Sequence, residues 1–446
     1  MGLKLFNTLT SRLEDFVPRG EAVGIYTCGL TVQGPPHVGH MRAPLCRDIL
    51  VRWLNYLGYK VIMLENFTDV DDKIIEKQKE YKKDWRKIAE ENIEKYLGAC
   101  DQLNIKKADF YPRASQHIEE IIELVKKLVD KGLAYEKGGD VYFRVRKFPE
   151  YGKLSKKSID ELVAGARIEP TELKDDPLDF ALWKAVKPDE PYWHSPWGKG
   201  RPGWHIECSA MSMHYLGESF DIHTGGEDLI FPHHENEIAQ SVAATGKEFV
   251  RYWLHNGWVM LTGEKMSKST GNYFLIEELL KKYPPNVIRL FLLKAQYRTQ
   301  IEFSEDRMEE ARSAYERIKT YLDKCPVSTE EIEPFMLKEF TEVMNDDLNT
   351  PQALGIMYEL VKKGYEVDNP TIAASVRFYL SLLGFSQDKT ADEISPRLIE
   401  MILDLREKMR QEKQYETSDE IRKRLKDLGI IIDDIKGSSI YRWEVK

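Results

Sequence analysis

One run near the amino terminus constrains the fold more than any other part of this chain. Residues 22–27 predict a short strand, and a loop rich in glycine and proline follows at residues 29–36. Residues 44–57 then carry leucine, isoleucine and tryptophan at helical spacing, and Gly58 ends that helix before an apolar strand at residues 61–64. A strand, a helix and a parallel strand make up the unit of a doubly wound sheet. The sequence therefore predicts an α/β, Rossmann-like domain.

Two short strings indicate that this domain handles a nucleotide. His37-Val38-Gly39-His40 follows the first predicted strand, and Lys265-Met266-Ser267-Lys268-Ser269 lies far downstream. The two histidines project to one side at the opening of a helix, and the glycine between them lets a ligand approach the backbone. Attack on the α-phosphorus of ATP needs cations and fixed donors around the charged oxygens. The two lysines supply such cations, and we expect Lys268 to be the principal contact to the departing pyrophosphate.

The two strings, in this order, resemble the signature motifs of the class I aminoacyl-tRNA synthetases. This resemblance implies ATP as a substrate, accompanied by Mg²⁺. It implies catalytic roles for His37, His40, Lys265 and Lys268, and ATP contacts from Gly39, Gly225, Asp228 and Lys268. Gly225 opens a predicted turn in which glycine admits adenosine and Asp228 contacts its ribose or base. The structural alternative is a helix-capping pair of histidines and a solvated lysine loop.

Four separated residues form a candidate metal site. His233 and Glu237 lie four apart after Pro232, and therefore on one face of a predicted helix, where an imidazole and a carboxylate can share an ion. Cys28, at the end of the first strand, and Cys208 would complete a set of two thiolates, one imidazole and one carboxylate, which suits zinc. Spacing alone explains these residues equally well as buried structural cysteines and a hydrogen-bonded surface pair.

The strings around these residues resemble those of the cysteinyl-tRNA synthetases. They are Cys28 to Val32, Gly203 to Ser209 and Phe231 to Glu237. The resemblance implies that Cys28, Cys208, His233 and Glu237 bind one Zn²⁺ per chain and that the sulfur of L-cysteine joins them. His234 is the alternative imidazole, although only His233 precedes Glu237 by four residues. A thiolate-rich zinc distinguishes a thiol from a hydroxyl better than an apolar pocket, which separates near-isosteres by only about 1–3 kcal/mol.

The same resemblance implies further contacts to the amino acid. They come from Gly29, Thr31, Thr68, Trp204 and His223. A packing or hydrogen-bonding role is the alternative for each. Gly198-Lys199-Gly200-Arg201-Pro202-Gly203 matches a dinucleotide fingerprint only in its letters, because no apolar strand precedes it and a proline interrupts it. We predict a loop there.

The chain length predicts several domains, because 446 residues exceed one ordinary domain. The resemblance implies two catalytic halves at residues 1–110 and 202–283, separated by a connective insertion at 111–201. It also implies a stem-contact domain and helical bundle of the DALR type at residues 284–395, and a small anticodon-binding unit at residues 396–446.

The carboxyl-terminal third is expected to be mainly helical. Amphipathic spacing predicts helices at 286–296, 304–324 and 339–363, and a long helix past Pro396 that leads to a short apolar element. The resemblance assigns anticodon contacts to Arg410, Tyr415 and Asp419. An ordinary surface helix is the alternative.

Composition limits the protein class. A net charge of −9 gives no dominating basic surface, so composition by itself does not advertise a nucleic-acid partner. Five scattered cysteines imply no disulfide framework and favour the reducing cytoplasm. No apolar run is long enough to span a bilayer. We therefore expect a cytoplasmic monomer without a membrane partner.

The resemblance implies an overall activity. It is the ATP-dependent activation of L-cysteine to cysteinyl-adenylate and transfer to the 3′ end of tRNA(Cys), forming AMP and diphosphate. One alternative is the ligase that joins cysteine to an amino sugar in mycothiol synthesis, which lacks the full anticodon-binding tail retained here. A hydrolase with metal-bound water leaves the two nucleotide strings unexplained. A non-enzymatic tRNA-binding paralogue should have lost His37, His40 or Lys268.

Overall fold

The structure is a computed structural model. It describes residues 2–159, 161, 174–261, 264–265, 275–325, 331–332, 334–367, 369–386, 401–410, 412, 414–427, 430–435 and 438–443. Its strands are β1 Lys4–Asn7, β2 Arg12–Asp15, β3 Ala22–Thr27, β4 Lys60–Glu65, β5 Ala134–Lys137, β6 Asp140–Phe143, β7 Phe180–Ala185, β8 Trp193–Ser195, β9 Gly198–Pro202, β10 Phe220–Gly226, β11 Val250–Asn256, β12 Val259–Leu261, β13 Glu264–Lys265, β14 Ile301–Phe303, β15 Ile430–Ile435 and β16 Ser438–Trp443. Its α-helices are α1 Arg42–Tyr56, α2 Asp72–Tyr81, α3 Trp85–Gln102, α4 Ile118–Asp130, α5 Trp204–Leu216, α6 Glu235–Thr245, α7 Ile276–Lys282, α8 Pro285–Leu293, α9 Glu305–Lys324, α10 Pro334–Asn345, α11 Thr350–Glu366, α12 Pro370–Leu382, α13 at 401–410 and α14 Tyr415–Asp427. None of these described helices has both the length and the apolar character needed to cross a bilayer.

A four-stranded parallel sheet contains the strand that precedes the first nucleotide string, His37 to His40. Its order is β11-β10-β3-β4, and each neighbouring pair is parallel. The predicted doubly wound, Rossmann-like sheet is confirmed, with β3 at the predicted residues and α1 connecting it to β4. The later strand β10 pairs on the other side of β3, so the strand order reverses there. Parallel sheets of this kind bind ligands outside the carboxyl ends of their strands at such a reversal.

A five-stranded antiparallel sheet lies between the halves of the parallel sheet in sequence. Its order is β5-β6-β7-β9-β8. The loop predicted at Gly198–Gly203 is wrong, because Gly198–Pro202 forms β9 and pairs with both β7 and β8. A Cβ atom on Gly200 would lie 2.4 Å from the carbonyl oxygen of Lys184. Glycine here admits a neighbouring strand, not a phosphate.

The helical region departs from the prediction at one turn. The helices predicted at 286–296 and 304–324 are present as α8 and α9, but the one predicted at 339–363 is divided into α10 and α11. Asp347 and Leu348, between them, have φ angles of +57° and +54°. The Asp347 carboxylate accepts hydrogen bonds from the Phe6 amide, the Tyr297 hydroxyl and Nε of Arg298, all at 2.8 Å. This buried anchor favours a turn over the continuous helix that the spacing suggests.

Residues 387–446 form a separate compact unit. Its described part contains α13, α14 and an antiparallel hairpin of β15 and β16. Leu403, Leu425 and Ile432 form its core. The single long helix predicted past Pro396 is therefore wrong, since residue 412 lies in a turn between two helices.

Candidate active site and metal centre

A cavity of about 340 Å³ opens beyond the carboxyl end of β3. The predicted site residues that line it are Cys28, Gly29, Thr31, His37, Gly39, His40, Thr68, Trp204, Cys208, Asp228 and His233. The cavity thus joins the first nucleotide string to most of the candidate metal ligands.

The two histidines of the first string form one wall of the cavity. A short helical turn at Val38–Met41 leads directly into α1 and holds His37 and His40 with their rings stacked, 3.5 Å between centroids. The His37 amide donates to Nδ1 of His40 at 3.2 Å. The first turn of α1 also contributes Ala43 and Pro44 to the lining, so the positive end of a helix dipole faces the space where an anion would lie.

The second nucleotide string is only partly described. Lys265 lies in β13, whose backbone pairs with β12, and Lys268 lies outside the described residues. Val259 of β12 lines the cavity on one side of the string. On the other side, Leu275 pairs with His37. Both described flanks of the string therefore adjoin the wall that carries the histidine pair.

The four predicted metal ligands converge beside that wall. The Sγ atoms of Cys28 and Cys208 are 3.6 Å apart, and Sγ of Cys28 lies 3.6 Å from Oε1 of Glu237. Nε2 of His233 lies 3.1 Å from the same carboxylate oxygen. All four donor atoms lie within 4.8 Å of one another, and all four residues are buried. Ligands of tetrahedral zinc with bonds of about 2.1–2.3 Å lie about 3.4–3.8 Å apart. Both sulfur contacts of Cys28 have this spacing, and the imidazole and carboxylate of His233 and Glu237 lie slightly closer together.

Neighbouring charges favour the anionic forms of two of these ligands. Burial alone would raise the pKa of Cys208, but its contacts with Cys28 and His233 lower that pKa to about 6. Burial likewise opposes ionisation of Glu237, whereas His223 and His233 lower its pKa to about 2. Burial and the Cys208 sulfur raise the pKa of Cys28. These neighbours favour the thiolate of Cys208 and the carboxylate of Glu237, and both anionic forms suit a divalent cation.

His223 lies behind the ligands and does not line the cavity. Its Nε2 lies 3.0 Å from Oε2 of Glu237, and its ring stacks on Trp253 with 4.7 Å between centroids. This arrangement orients the carboxylate. Trp204, by contrast, lines the cavity and packs over His233, with 4.4 Å between the ring centroids.

Two further histidines contact the rings of His233 and His234, and neither was predicted from the sequence. Nδ1 of His205 lies 2.9 Å from Nδ1 of His233, on the side of that ring away from Glu237. Nδ1 of His234 lies 2.7 Å from Nε2 of His255. No spacing rule links these pairs, because α5, with His205, and β11, with His255, meet the turn that precedes α6 only through the fold.

The alternative imidazole, His234, also lies near a ligand. Its Nε2 is 3.3 Å from Sγ of Cys28, and Cys28, His223, His234 and Glu237 make up a second possible ligand group. His233 lines the cavity, whereas His234 does not. The group with His233 therefore has three members in the cavity lining, Cys28, Cys208 and His233, whereas the group with His234 has only Cys28.

The predicted amino-acid contacts Gly29, Thr31 and Thr68 meet where two loops pair. Thr31 and Thr68 form an isolated parallel bridge. A Cβ atom on Gly29 would lie 1.7 Å from the carbonyl oxygen of Asn66, so this position requires glycine. Thr68 donates its hydroxyl proton to Oε2 of Glu207 at 3.0 Å. Asn66 lines the cavity, and Glu207 holds the hydroxyl of Thr68. Neither residue was predicted from the sequence.

The predicted adenosine contacts differ in their positions. Asp228 lines the cavity and accepts a hydrogen bond from Nε1 of Trp258, another lining residue, at 3.3 Å. A Cβ atom on Gly225 would lie 2.7 Å from Cε1 of His234. Gly225 therefore makes room for an imidazole behind the cavity, and Gly226 is the glycine in the lining.

We predict that the folded protein loses stability in acid because His255 is buried in its neutral form. Burial, reinforced by His223, lowers its pKa to about 3. The unfolded chain takes up this proton near pH 6.5, so stability is full above that pH and is lost as the pH falls from 6.5 towards 3. We expect this residue to account for about 2 kcal/mol of the loss between pH 7 and pH 5.

Urea unfolding at both pH values measures this effect. His255→Gln should lose less stability on acidification than the unsubstituted chain, and His194→Gln, at an exposed position, should lose as much. An unchanged pH dependence in His255→Gln would contradict the assignment.

Comparison with known proteins places these features in context. Residues 16–313 match the family described as tRNA synthetases class I (C) catalytic domain, and residues 339–375 match the DALR domain. The cysteine–tRNA ligase of Sulfurihydrogenibium sp. (strain YO3AOP1) is 47% identical over 97% of this chain and 98% of its own. That of Thermococcus onnurineus (strain NA1) is 45% identical over 99% of each chain.

Solved structures show the same fold at lower identity. Mycobacterium tuberculosis methionyl-tRNA synthetase in complex with methionyl-adenylate superimposes with a TM-score of 0.59 and 15% identity, covering 82% of this chain and 90% of that one. The likeness at this identity concerns the fold alone.

Proposed function

This chain belongs to the class I tRNA synthetases (C), and we infer that it joins L-cysteine to tRNA(Cys) with the conversion of ATP to AMP and diphosphate. The main observation in support of this function is that the stacked His37 and His40 line the same cavity as Cys28, Cys208 and His233. ATP–pyrophosphate exchange with cysteine and with serine, before and after zinc removal, tests it. Exchange that is equal with both amino acids would contradict it.

The histidine wall is proposed to act on the phosphates. His37, His40 and the amino end of α1 present donors and positive potential to the α-phosphate, which stabilises charge that develops as the cysteine carboxylate attacks. Lys265 and Lys268 are proposed to neutralise the departing pyrophosphate, together with Mg²⁺. The described flanks of their string adjoin His37, which supports this role.

The buried quartet is proposed to hold one Zn²⁺. Cys28, Cys208, His233 and Glu237 provide the donor number and types that zinc prefers. When bound there, zinc supplies a soft Lewis acid that favours a substrate thiolate over a hydroxyl. The remaining imidazoles orient the ligands, since His223 holds Oε2 of Glu237.

The residues around the quartet are proposed to position the amino acid. Trp204 covers His233 from the cavity side, so it limits the size of the side chain that reaches the sulfur ligands. Gly29, Thr31 and Thr68 line the cavity next to Cys28, and are proposed to contact the amino and carboxylate groups. Asp228 and Trp258 are proposed to contact the nucleoside at the other end.

The cysteine chemistry favours a reducing compartment. The Sγ atoms of Cys28 and Cys208 are 3.6 Å apart and would lose their capacity as ligands if oxidised. We therefore propose that the protein works in the cytoplasm. That it is a monomer stays a prediction.

The amino-sugar ligase of mycothiol synthesis is less well supported. Residues 339–375 match the DALR domain, and the cysteine–tRNA ligase relatives align over nearly the whole chain, including its terminal unit. Measuring cysteine transfer to tRNA and to the amino sugar in parallel distinguishes the two acceptors.

The terminal unit is proposed to bind the anticodon through Arg410, Tyr415 and Asp419. Arg410 is the last described residue of α13, Tyr415 begins α14 with 58% of its surface exposed, and Asp419 is exposed one turn later. An exposed aromatic ring can stack on a base, and such stacking contributes about 1–3 kcal/mol.

Tyr415→Ala should therefore lower kcat/KM for tRNA charging by at least about fivefold, as 1 kcal/mol of lost stacking would. Cysteine-dependent exchange should remain unchanged, because it does not need tRNA. Tyr81→Ala, which removes a tyrosine with 56% exposure from α2, is the matched control. Normal charging by Tyr415→Ala would remove this residue from the proposed interface.

A further inference from the structure

A second cluster of metal-ligating side chains lies outside the cavity. His117 precedes α4, Glu120 lies in the first turn of that helix, and His214 lies in the last turn of α5. Their donor atoms lie within 4.8 Å of one another. The same helix α5 carries Cys208 in its second turn. The cluster therefore lies at the opposite end of a helix that contributes to the buried quartet.

The hydrogen bonds of His117 prepare one of its ring nitrogens to bind a metal. Its Nδ1 lies 2.9 Å from the carbonyl oxygen of Arg113, which can only accept, so Nδ1 carries a proton. In the neutral ring, Nε2 then presents its lone pair, and the Tyr215 hydroxyl, 3.2 Å away, donates to it. Metal-binding histidines commonly donate their second ring N–H to a backbone carbonyl, because this fixes the tautomer and the ring orientation.

The other two side chains complete an accessible site. Nδ1 of His214 lies 3.4 Å from Oε1 of Glu120. This is the separation of about 3.4 Å expected for two ligands of a tetrahedral ion with bonds of about 2.1 Å. His117 is buried, whereas the side chains of Glu120 and His214 are 32% and 47% exposed. An ion can enter from solvent, and water can complete its coordination.

We propose that His117, Glu120 and His214 bind one divalent transition-metal ion, separate from the buried thiolate site. Two imidazoles and one carboxylate suit Zn²⁺, Ni²⁺ and Cu²⁺, whereas Mg²⁺ and Ca²⁺ prefer oxygen ligands. The ion replaces the Tyr215 hydroxyl at Nε2 of His117 and links α4 to α5. The proposal uses no residue of the cavity and does not depend on the reaction assigned to it.

Calorimetric titration of the untagged, zinc-loaded full chain with Ni²⁺ tests the site. The unsubstituted chain should bind one Ni²⁺ per chain. His214→Ala and Glu120→Gln should each weaken that binding at least tenfold, because even an outer partner of a metal ligand contributes about 10- to 100-fold to affinity. Both side chains are partly exposed, so the substitutions should leave the fold intact. His194→Ala, which removes an exposed histidine from β8, should bind Ni²⁺ like the unsubstituted chain.

Two measurements on the same samples identify where the nickel binds. Cysteine-dependent exchange should be unchanged in all three variants, and the bound Ni²⁺ should give no thiolate-to-metal absorption in the near ultraviolet. Absence of binding to the unsubstituted chain, or binding of unchanged affinity by His214→Ala, would overturn the proposal. So would an equal loss in His194→Ala, or thiolate absorption that accounts for all the nickel.

Discussion

Cys208→Ser should reduce cysteine-dependent ATP–pyrophosphate exchange by at least about 10³-fold, because loss of a direct ligand should exceed the 10- to 100-fold that outer partners of a ligand contribute. Cys28 and His233 lower the pKa of the Cys208 thiol to about 6 against the effect of burial, which favours the thiolate that zinc binds. A serine hydroxyl at this position stays protonated and is a poor ligand for zinc. The buried quartet should then lose both its zinc and its preference for a thiol.

Metal analysis and exchange assays on the same preparation measure both effects. Cys325→Ser makes the same chemical change at a half-buried position outside the quartet and should retain zinc and activity. Full zinc content in Cys208→Ser would exclude Cys208 from the ligand set. Normal exchange with reduced zinc would instead separate the metal from the reaction.

His40→Ala should slow adenylate formation by about 10²- to 10³-fold, the range found when a single preorganised donor to a developing charge is removed. His40 stacks on His37 in the cavity wall and is not one of the candidate metal ligands. The KM for cysteine and the zinc content should therefore change little. Single-turnover formation of the adenylate measures the rate directly.

The double variant His37→Ala/His40→Ala tests whether the two histidines act as one unit. The two rings lie 3.5 Å apart, and residues that act as one unit lose little more when both are removed than when one is. A double variant that loses the product of the two single effects would indicate two independent roles. An unimpaired single-turnover rate in His40→Ala would exclude a contact with the reacting phosphate.

Local patterns predicted the catalytic core well because its information is short-range. The strand at Ala22–Thr27, the helix that follows and the second strand each depend on spacing within one element, and all three are present. Prediction was wrong where a distant partner determined the backbone. Gly200 belongs to a strand because β7 and β8 pair with it, and α10 ends where Asp347 meets Phe6 and Tyr297.

In the candidate site, too, the residues that were predicted lie in local strings, and those that were missed depend on contacts between distant elements. Family-like strings named the thiolates, the imidazole and the carboxylate, and the fold brings all four together. The sequence did not name His205 or His255, whose partners are contributed by other elements. It placed His223 in the pocket, whereas the structure puts that ring behind Glu237. The role of Lys268 stays a prediction.

The sequence by itself determined the kind of chemistry and the order of the elements, because donor types, motif strings and hydrophobic periodicity are properties of neighbouring residues. Only the tertiary structure decided which imidazole lines the cavity, which glycine admits a ligand and which histidines orient the metal ligands. Those choices depend on distances through space between residues remote in sequence, such as Cys28 and Glu237 with 3.6 Å between Sγ and Oε1. Spacing along the chain carries no information about such distances until the sheet and its helices have packed.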